Sequence, residues 1–200
     1  MTMEDKRITN QESLELIARM IRNTQDRFER GAGKPFLIWG YTTVAVSLAV
    51  WYMVNTTGDY QWNWLWFALP LIGSFGMLAF MKKGPKSVKT FIDSAINQVW
   101  FVLGLCAILV SCYAMVAGKH LPTLMIISIL ILAAQAITGG IIKLPYIKIM
   151  GLAGIVLAFG LPCLKGVDQI LGFAGLFFIA MVIPGHIMNL QARKRNKIKN

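Results

Sequence analysis

The chain has 200 residues, 56% of them hydrophobic and 14% charged, with a mean hydropathy of +0.59. That length suits one domain, but the composition excludes an ordinary water-soluble one, in which about a quarter of the residues are charged. The formal charge of +11 is concentrated between apolar blocks rather than along a groove or helix, so it reads as a membrane-topology signal and excludes a nucleic-acid partner.

Six apolar blocks are each about as long as a bilayer is thick. In hydrocarbon, a helix of roughly 17–25 residues satisfies its own backbone hydrogen bonds where water cannot. The expected fold is therefore all-α: a polytopic membrane protein with six transmembrane helices preceded by a cytoplasmic amphipathic helix. The corresponding divisions are a helical segment over 1–34, a bundle over 35–190 and a basic cytoplasmic tail over 191–200.

At the start, Thr9-Asn10-Gln11-Glu12 has the capping-box pattern that opens a helix. Leu14, Ile17, Ile21 and Phe28 then recur on one stripe, with Leu16 and Met20 widening it and Arg19, Arg22, Asp26 and Arg30 on other faces. Gly31-Ala32-Gly33 is expected to end this helix. More than thirty hydrophilic residues precede the first apolar block, a pattern not expected of a cleaved signal peptide.

The first span is expected over Pro35–Val54 and the second over Trp62–Met81, with Pro70, Gly73 and Gly76 favouring a kink. Trp51, Tyr52, Tyr60, Trp62, Trp64 and Trp66 gather near the turn between them, as an aromatic girdle at the outer boundary would. Lys82, Lys83, Lys86 and Lys89 form the next linker, and Ser87–Gln98 reads as a short interfacial helix before a third span ending at Ala117. A fourth span over Leu121–Gly139 leads to a linker over Ile141–Lys148. The fifth span ends near Pro162, and the sixth covers Gln169–Ile187. Gly73/Gly76, Gly151/Gly154 and Gly172/Gly175 place small residues on the second, fifth and sixth spans, which are expected to meet there. Three helical hairpins with short outer turns describe the expected arrangement.

With an inside N-terminus, eighteen of the twenty Lys and Arg residues fall on the cytoplasmic side, leaving Lys119 and Lys165 outside. Retention of juxtamembrane cations on the cytoplasmic side makes this asymmetry the strongest topological signal in the chain.

Chemistry is sparse by comparison. No ionisable group is expected deep within a span, His120 and His186 fall on opposite sides, and no metal-binding, nucleophile or phosphate-loop motif is visible, so neither enzyme activity nor a cofactor or metal is expected. Cys106, Cys112 and Cys163 read as small hydrophobes. Among polar candidates, Gln135 needs a hydrogen-bond partner on another helix, while Ser111, Thr42, Thr43 and Ser47 are less distinctive. In Pro184-Gly185-His186-Ile187-Met188-Asn189, a loosened helix end and a turn are expected to bring His186 and Asn189 to the cytoplasmic interface.

Pro35-Phe36-Leu37-Ile38-Trp39-Gly40-Tyr41, Trp62-Asn63-Trp64-Leu65-Trp66-Phe67 and the Pro184–Asn189 segment resemble uncharacterised six-span inner-membrane proteins of Bacteroidota. The resemblance implies a bacterial inner (cytoplasmic) membrane and no activity. Two functional readings follow. One is a non-enzymatic membrane protein whose amphipathic helix, through Ile17 and Ile21, docks or regulates a protein at the cytoplasmic face, with membrane lipids as its other partners. The alternative is a small-molecule transporter or capture subunit. Size and span number resemble the substrate-binding components of energy-coupling factor transporters, and Ala45 and Ala49 have the spacing such proteins use to meet their coupling subunit, although the long N-terminal helix departs from that family.

Overall fold

A backbone crossing hydrocarbon must pair every N–H and C=O internally, which restricts these apolar blocks to helices. The computed structural model describes residue 9 and residues 11–19, 33–80, 91–117 and 121–199, and the regular secondary structure among them is helical. Among the described residues, six helices are long and apolar enough to span a bilayer: Gly33–Thr57, Tyr60–Phe80, Phe91–Val116, Thr123–Ile141, Pro145–Cys163 and Asp168–Gln191. They are the first to sixth spans below. The protein is a multi-pass transmembrane helical protein, as its hydropathy pattern implies.

The capping box is formed. Thr9 N–H donates to Glu12 Oε2 at 2.9 Å, and Glu12 N–H donates to Thr9 Oγ1 at 3.3 Å, opening a helix over 11–19. The rest of the proposed amphipathic helix, Ile21 and Phe28 included, lies outside the described residues, as do the four-lysine linker and the Gly118–His120 turn.

The first span ends where Gly58, at φ +68, adopts the left-handed conformation that closes a helix, its N–H bonded to the Val54 carbonyl at 2.9 Å. Asp59 then accepts from Gln61 N–H at 2.8 Å and starts the next helix. The second span begins as a 3₁₀ helix over Tyr60–Phe67 and becomes α-helical over Ala68–Phe80. Pro70 falls in the first turn of that α-helix, where its missing N–H breaks no bond. Trp62, Trp64, Tyr52 and Tyr60 are exposed around this turn, as a girdle requires, whereas Trp66 turns inward and meets Phe173 edge-on at 5.5 Å.

Four sequence expectations are corrected. The third span is one helix from Phe91, so a separate interfacial helix ending at Gln98 does not form; its apolar residues continue without a breaker into the span. Gly139-Gly140 does not end the fourth span, which runs to Ile141, and the inner turn shrinks to a few residues because Pro145 opens the next helix at its first position. Residues 183–199 form one helix, so the turn expected at Gly185 is not seen. The third hairpin also opens out: the fifth span lies chiefly against the fourth, and the sixth against the first.

Glycine spacing decides which helices approach. A Cβ at Gly151 would stand 2.7 Å from Ala136 N, one at Gly154 would stand 2.9 Å from Leu132 Cδ1, and one at Gly139 would strike the Lys148 backbone. The fourth and fifth spans are therefore in near-backbone contact. Gly73 and Gly76 sit against Trp39 and Ile38 of the first span, and Gly172 sits against Leu164 and Leu161. The three glycine pairs thus serve separate contacts and do not meet one another, because each has a nearer neighbour in sequence or fold. Only Gly175 of these has open space beside it.

Gly151→Val should destabilise the protein by about 1–3 kcal/mol, the usual cost of overpacking. Gly104→Ala should leave stability unchanged or raise it, since nothing lies within 4 Å of a Cβ there. Detergent-solubilised thermal unfolding of the two variants checks the contrast.

Candidate functional site

Proline at position 184 has no N–H to give the carbonyl four residues earlier, and its ring crowds that carbonyl. The carbonyl belongs to Ala180. Immediately before the proline the sixth span widens into a π-helical segment over Phe178–Val182, with Ile183 N–H bonded to the Phe178 carbonyl five residues back. Gln135 of the fourth span, with none of its surface exposed, donates from Nε2 to the Ala180 carbonyl at 2.8 Å. The expected interhelical bond of Gln135 is thus present, and its acceptor is main chain. Its Oε1 is buried without a partner.

Below this point the first and sixth spans run antiparallel in a constant register. A Cβ at Gly40 would meet Val182 Cγ2 at 2.8 Å, one at Gly185 would meet Leu37 Cγ at 3.0 Å, and one at Gly33 would strike Asn189. Stepping down one helix is matched by stepping up the other, and the glycines make that close approach sterically possible. Asn189 therefore sits beside the very start of the first span.

His186 lies one turn before Asn189, and its Nε2 is 2.7 Å from Tyr41 Oη. The rings meet edge-on with centroids 5.9 Å apart. Side chains on a helix lean toward its N-terminus, so on antiparallel helices Tyr41 leans toward the lysine-bearing end and His186 away from it. They converge despite standing at different levels. Which of the two donates depends on the imidazole tautomer: the phenol donates to a bare Nε2, and an Nε2–H donates to the phenol oxygen. Both residues are exposed on the flank of the bundle. His186 reaches this position on a continuous helix, five residues before the end of the sixth span, because the π-helical segment absorbs Pro184.

Two more contacts finish this end of the bundle. Trp100 Nε1 donates to Thr138 Oγ1 at 3.1 Å while its ring meets Phe36 edge-on at 6.4 Å, joining the third, fourth and first spans. Tyr146 Oη donates to Gln191 Oε1 across a longer 3.4 Å, tying the start of the fifth span to the end of the sixth.

Of the sequence candidates, Gln135, His186 and Asn189 all bear on the lower half of the sixth span. Ile17 stands on the separate helix over 11–19, exposed, and Ile21 is outside the described residues. Tyr41 was absent from the sequence candidates, as was the Ala180 carbonyl. The latter had a readable signal: Pro184 singles out residue 180 as a carbonyl in need of a donor, and Gln135 is an amide in need of an acceptor. Ser47, Ser128 and Thr138 instead bond carbonyls of their own helices, at 2.6, 2.8 and 2.7 Å. Within the described residues no group of three or more His, Cys, Asp or Glu side chains could hold a metal ion.

Replacing Gln135 with Leu strands the Ala180 carbonyl but also removes the orphaned Oε1, so the two effects oppose each other. Interhelical hydrogen bonds in bilayers are worth about 0.6–2 kcal/mol, and Gln135→Leu should destabilise by an amount in the lower half of that range. Denaturant titration of the purified variant checks it. No protein-family model, curated protein or solved structure matches the chain.

Proposed function

We propose that this chain is a non-enzymatic protein of a bacterial inner membrane, belonging with the six-span proteins it resembles, and that its N-terminal helix docks a protein at the cytoplasmic face. The observation that carries the reading is the exposure of Leu14, Leu16 and Ile17, at 66%, 48% and 52%, on a helix whose start is already capped by its own side chains. An end-capped helix with uncovered apolar residues has its hydrogen bonds satisfied and its hydrophobic surface unspent, as helix-in-groove recognition requires. Threading with both ends in the cytoplasm accords with the charge. Lys34, Lys143 and Lys148 are exposed, and the Gly33–Asn189 and Tyr146–Gln191 contacts gather the segments bearing them at one end of the bundle.

Leu14→Asp combined with Ile17→Asp should strip the co-purifying partner by roughly tenfold or more, since each buried leucine or isoleucine contributes about 1.5–3 kcal/mol. Membrane insertion should be unchanged. Quantitative affinity purification from membranes checks this, and an unaltered set of partners would exclude the docking role.

A second reading has one observation in its favour. Ala45 and Ala49 lie exposed on the first span, with Leu48 between them at 46% exposure, so the small-residue spacing is available to another helix as a capture subunit would need. Under that reading the purified protein should gain thermal stability with one member of a vitamin and metal panel. No shift across the panel excludes it.

A further inference from the structure

We propose that the flank where the first and sixth spans meet, at the end carrying Lys34, binds one anionic phospholipid of the adjoining leaflet. Ionisable groups inside membrane proteins almost always face the bundle interior or a water-filled cavity. His186 does the opposite: although it stands within a span, it is exposed on the flank, beside a Tyr41 that is 47% exposed. A hydrogen-bonded imidazole and phenol facing sideways need a polar component of the surrounding lipid.

Depth identifies that component. Gly33 and Asn189 stand side by side at the start of the first span and near the end of the sixth. His186 is three residues deeper than Asn189, about 4–5 Å at the α-helical rise. The layer of headgroups and esters on each face of a bilayer is roughly 5–7 Å thick, half the difference between the full and hydrocarbon thicknesses. Tyr41 stands eight residues beyond Gly33, about 12 Å, and leans back toward His186; with the phosphate level with Lys34 and Asn189, the pair comes at the lower edge of the headgroup layer, where the ester carbonyls give way to the acyl chains.

The donor set fits that ligand. Lys34 is exposed and lies seven residues from Tyr41, two turns along the helix, so the two residues share one face of the first span. Lysine supplies the charge that separates an anionic from a zwitterionic headgroup, and the pair supplies hydrogen bonds that either lipid can use. Gly33, Gly40 and Gly185 hold the helices close enough to make both sets of groups part of a single surface.

Native mass spectrometry of the full chain in mild detergent, titrated with phosphatidylglycerol or phosphatidylcholine, tests the site. The wild type should retain one phosphatidylglycerol roughly fivefold more tightly than phosphatidylcholine, the preference one interfacial lysine supplies. Lys34→Gln should abolish the preference and Lys34→Arg keep it, while Lys165→Gln, at the other end of the bundle, should not affect it. Tyr41→Phe should weaken both lipids and leave their ratio unchanged. A preference that survives Lys34→Gln, or Tyr41→Phe binding both lipids as the wild type does, overturns the proposal. Displacement of the lipid by inorganic phosphate overturns it as well, assigning the flank to a free anion.

Discussion

One main-chain oxygen, that of Ala180, shows how the bilayer governs this structure. In water a carbonyl freed by proline would bond to solvent, and the helix could bend there without further provision. In hydrocarbon an unpaired carbonyl costs several kcal/mol, so the fold has to bring a donor to it. The donor is Gln135, supplied from the fourth span at 2.8 Å. Widening of the helix over Phe178–Val182 gives Pro184 its room, and the helix continues to Lys199 without a break. Because a carboxamide has two functional ends and only its nitrogen is used, the same arrangement leaves Oε1 orphaned. The bond therefore sets the rotation of the sixth span against the fourth more than it adds net stability, which is the best-attested role of buried polar groups in helical assemblies.

From that fixed rotation the lower contacts follow. Gly40 and Gly185 let the first and sixth spans touch nearly backbone to backbone, and each marks the register at which the other helix passes. Once that register is set, the opposite lean of side chains on antiparallel helices carries Tyr41 and His186 toward each other. A shift of one residue would rotate His186 by about 100° around its helix and separate the pair. The fourth and fifth spans are registered in the same manner by Gly139, Gly151 and Gly154. Small residues do here what a hydrophobic driving force does in water, since lipid tails compete equally for any large apolar side chain.

Hydropathy and charge made the number of spans and the all-helical class legible, because uninterrupted apolar length has one solution in hydrocarbon. Helix ends were less legible. Gly139-Gly140 carries the usual stop signal, yet the helix runs one residue further to Ile141, and Gly139 makes the close approach to Lys148. Gly185 likewise looked like a turn and is instead the contact point for Leu37. In both places a glycine selected for packing imitates a glycine selected for backbone freedom, and local sequence does not distinguish them. Of the polar candidates, Gln135 announced its need for a partner, whereas Tyr41 carried no mark. Its role depends on a helix 145 residues away in sequence, and one chain without its register gives no access to such a pairing.

Exposure carries a different meaning on this surface than on a soluble protein. Leu71, Phe75 and Leu78 of the second span are 73%, 73% and 82% exposed, and Phe91 and Val116 of the third reach 88% and 86%. On a water-soluble chain such faces would mark an interface. Here lipid solvates them at no cost, and the second and third spans can sit at the periphery with one packed side each. The criterion inverts for polar groups, which water would solvate freely and acyl chains do not. It follows that the informative part of this flank is the exposed phenol and imidazole, and not the far larger apolar area around them. The helix over 11–19 is judged differently, because its charged and apolar residues alternate around one axis and no continuous apolar belt places it within the bilayer core. Its Leu14 and Ile17 are therefore read as they would be in water, as exposed apolar residues beside charged ones.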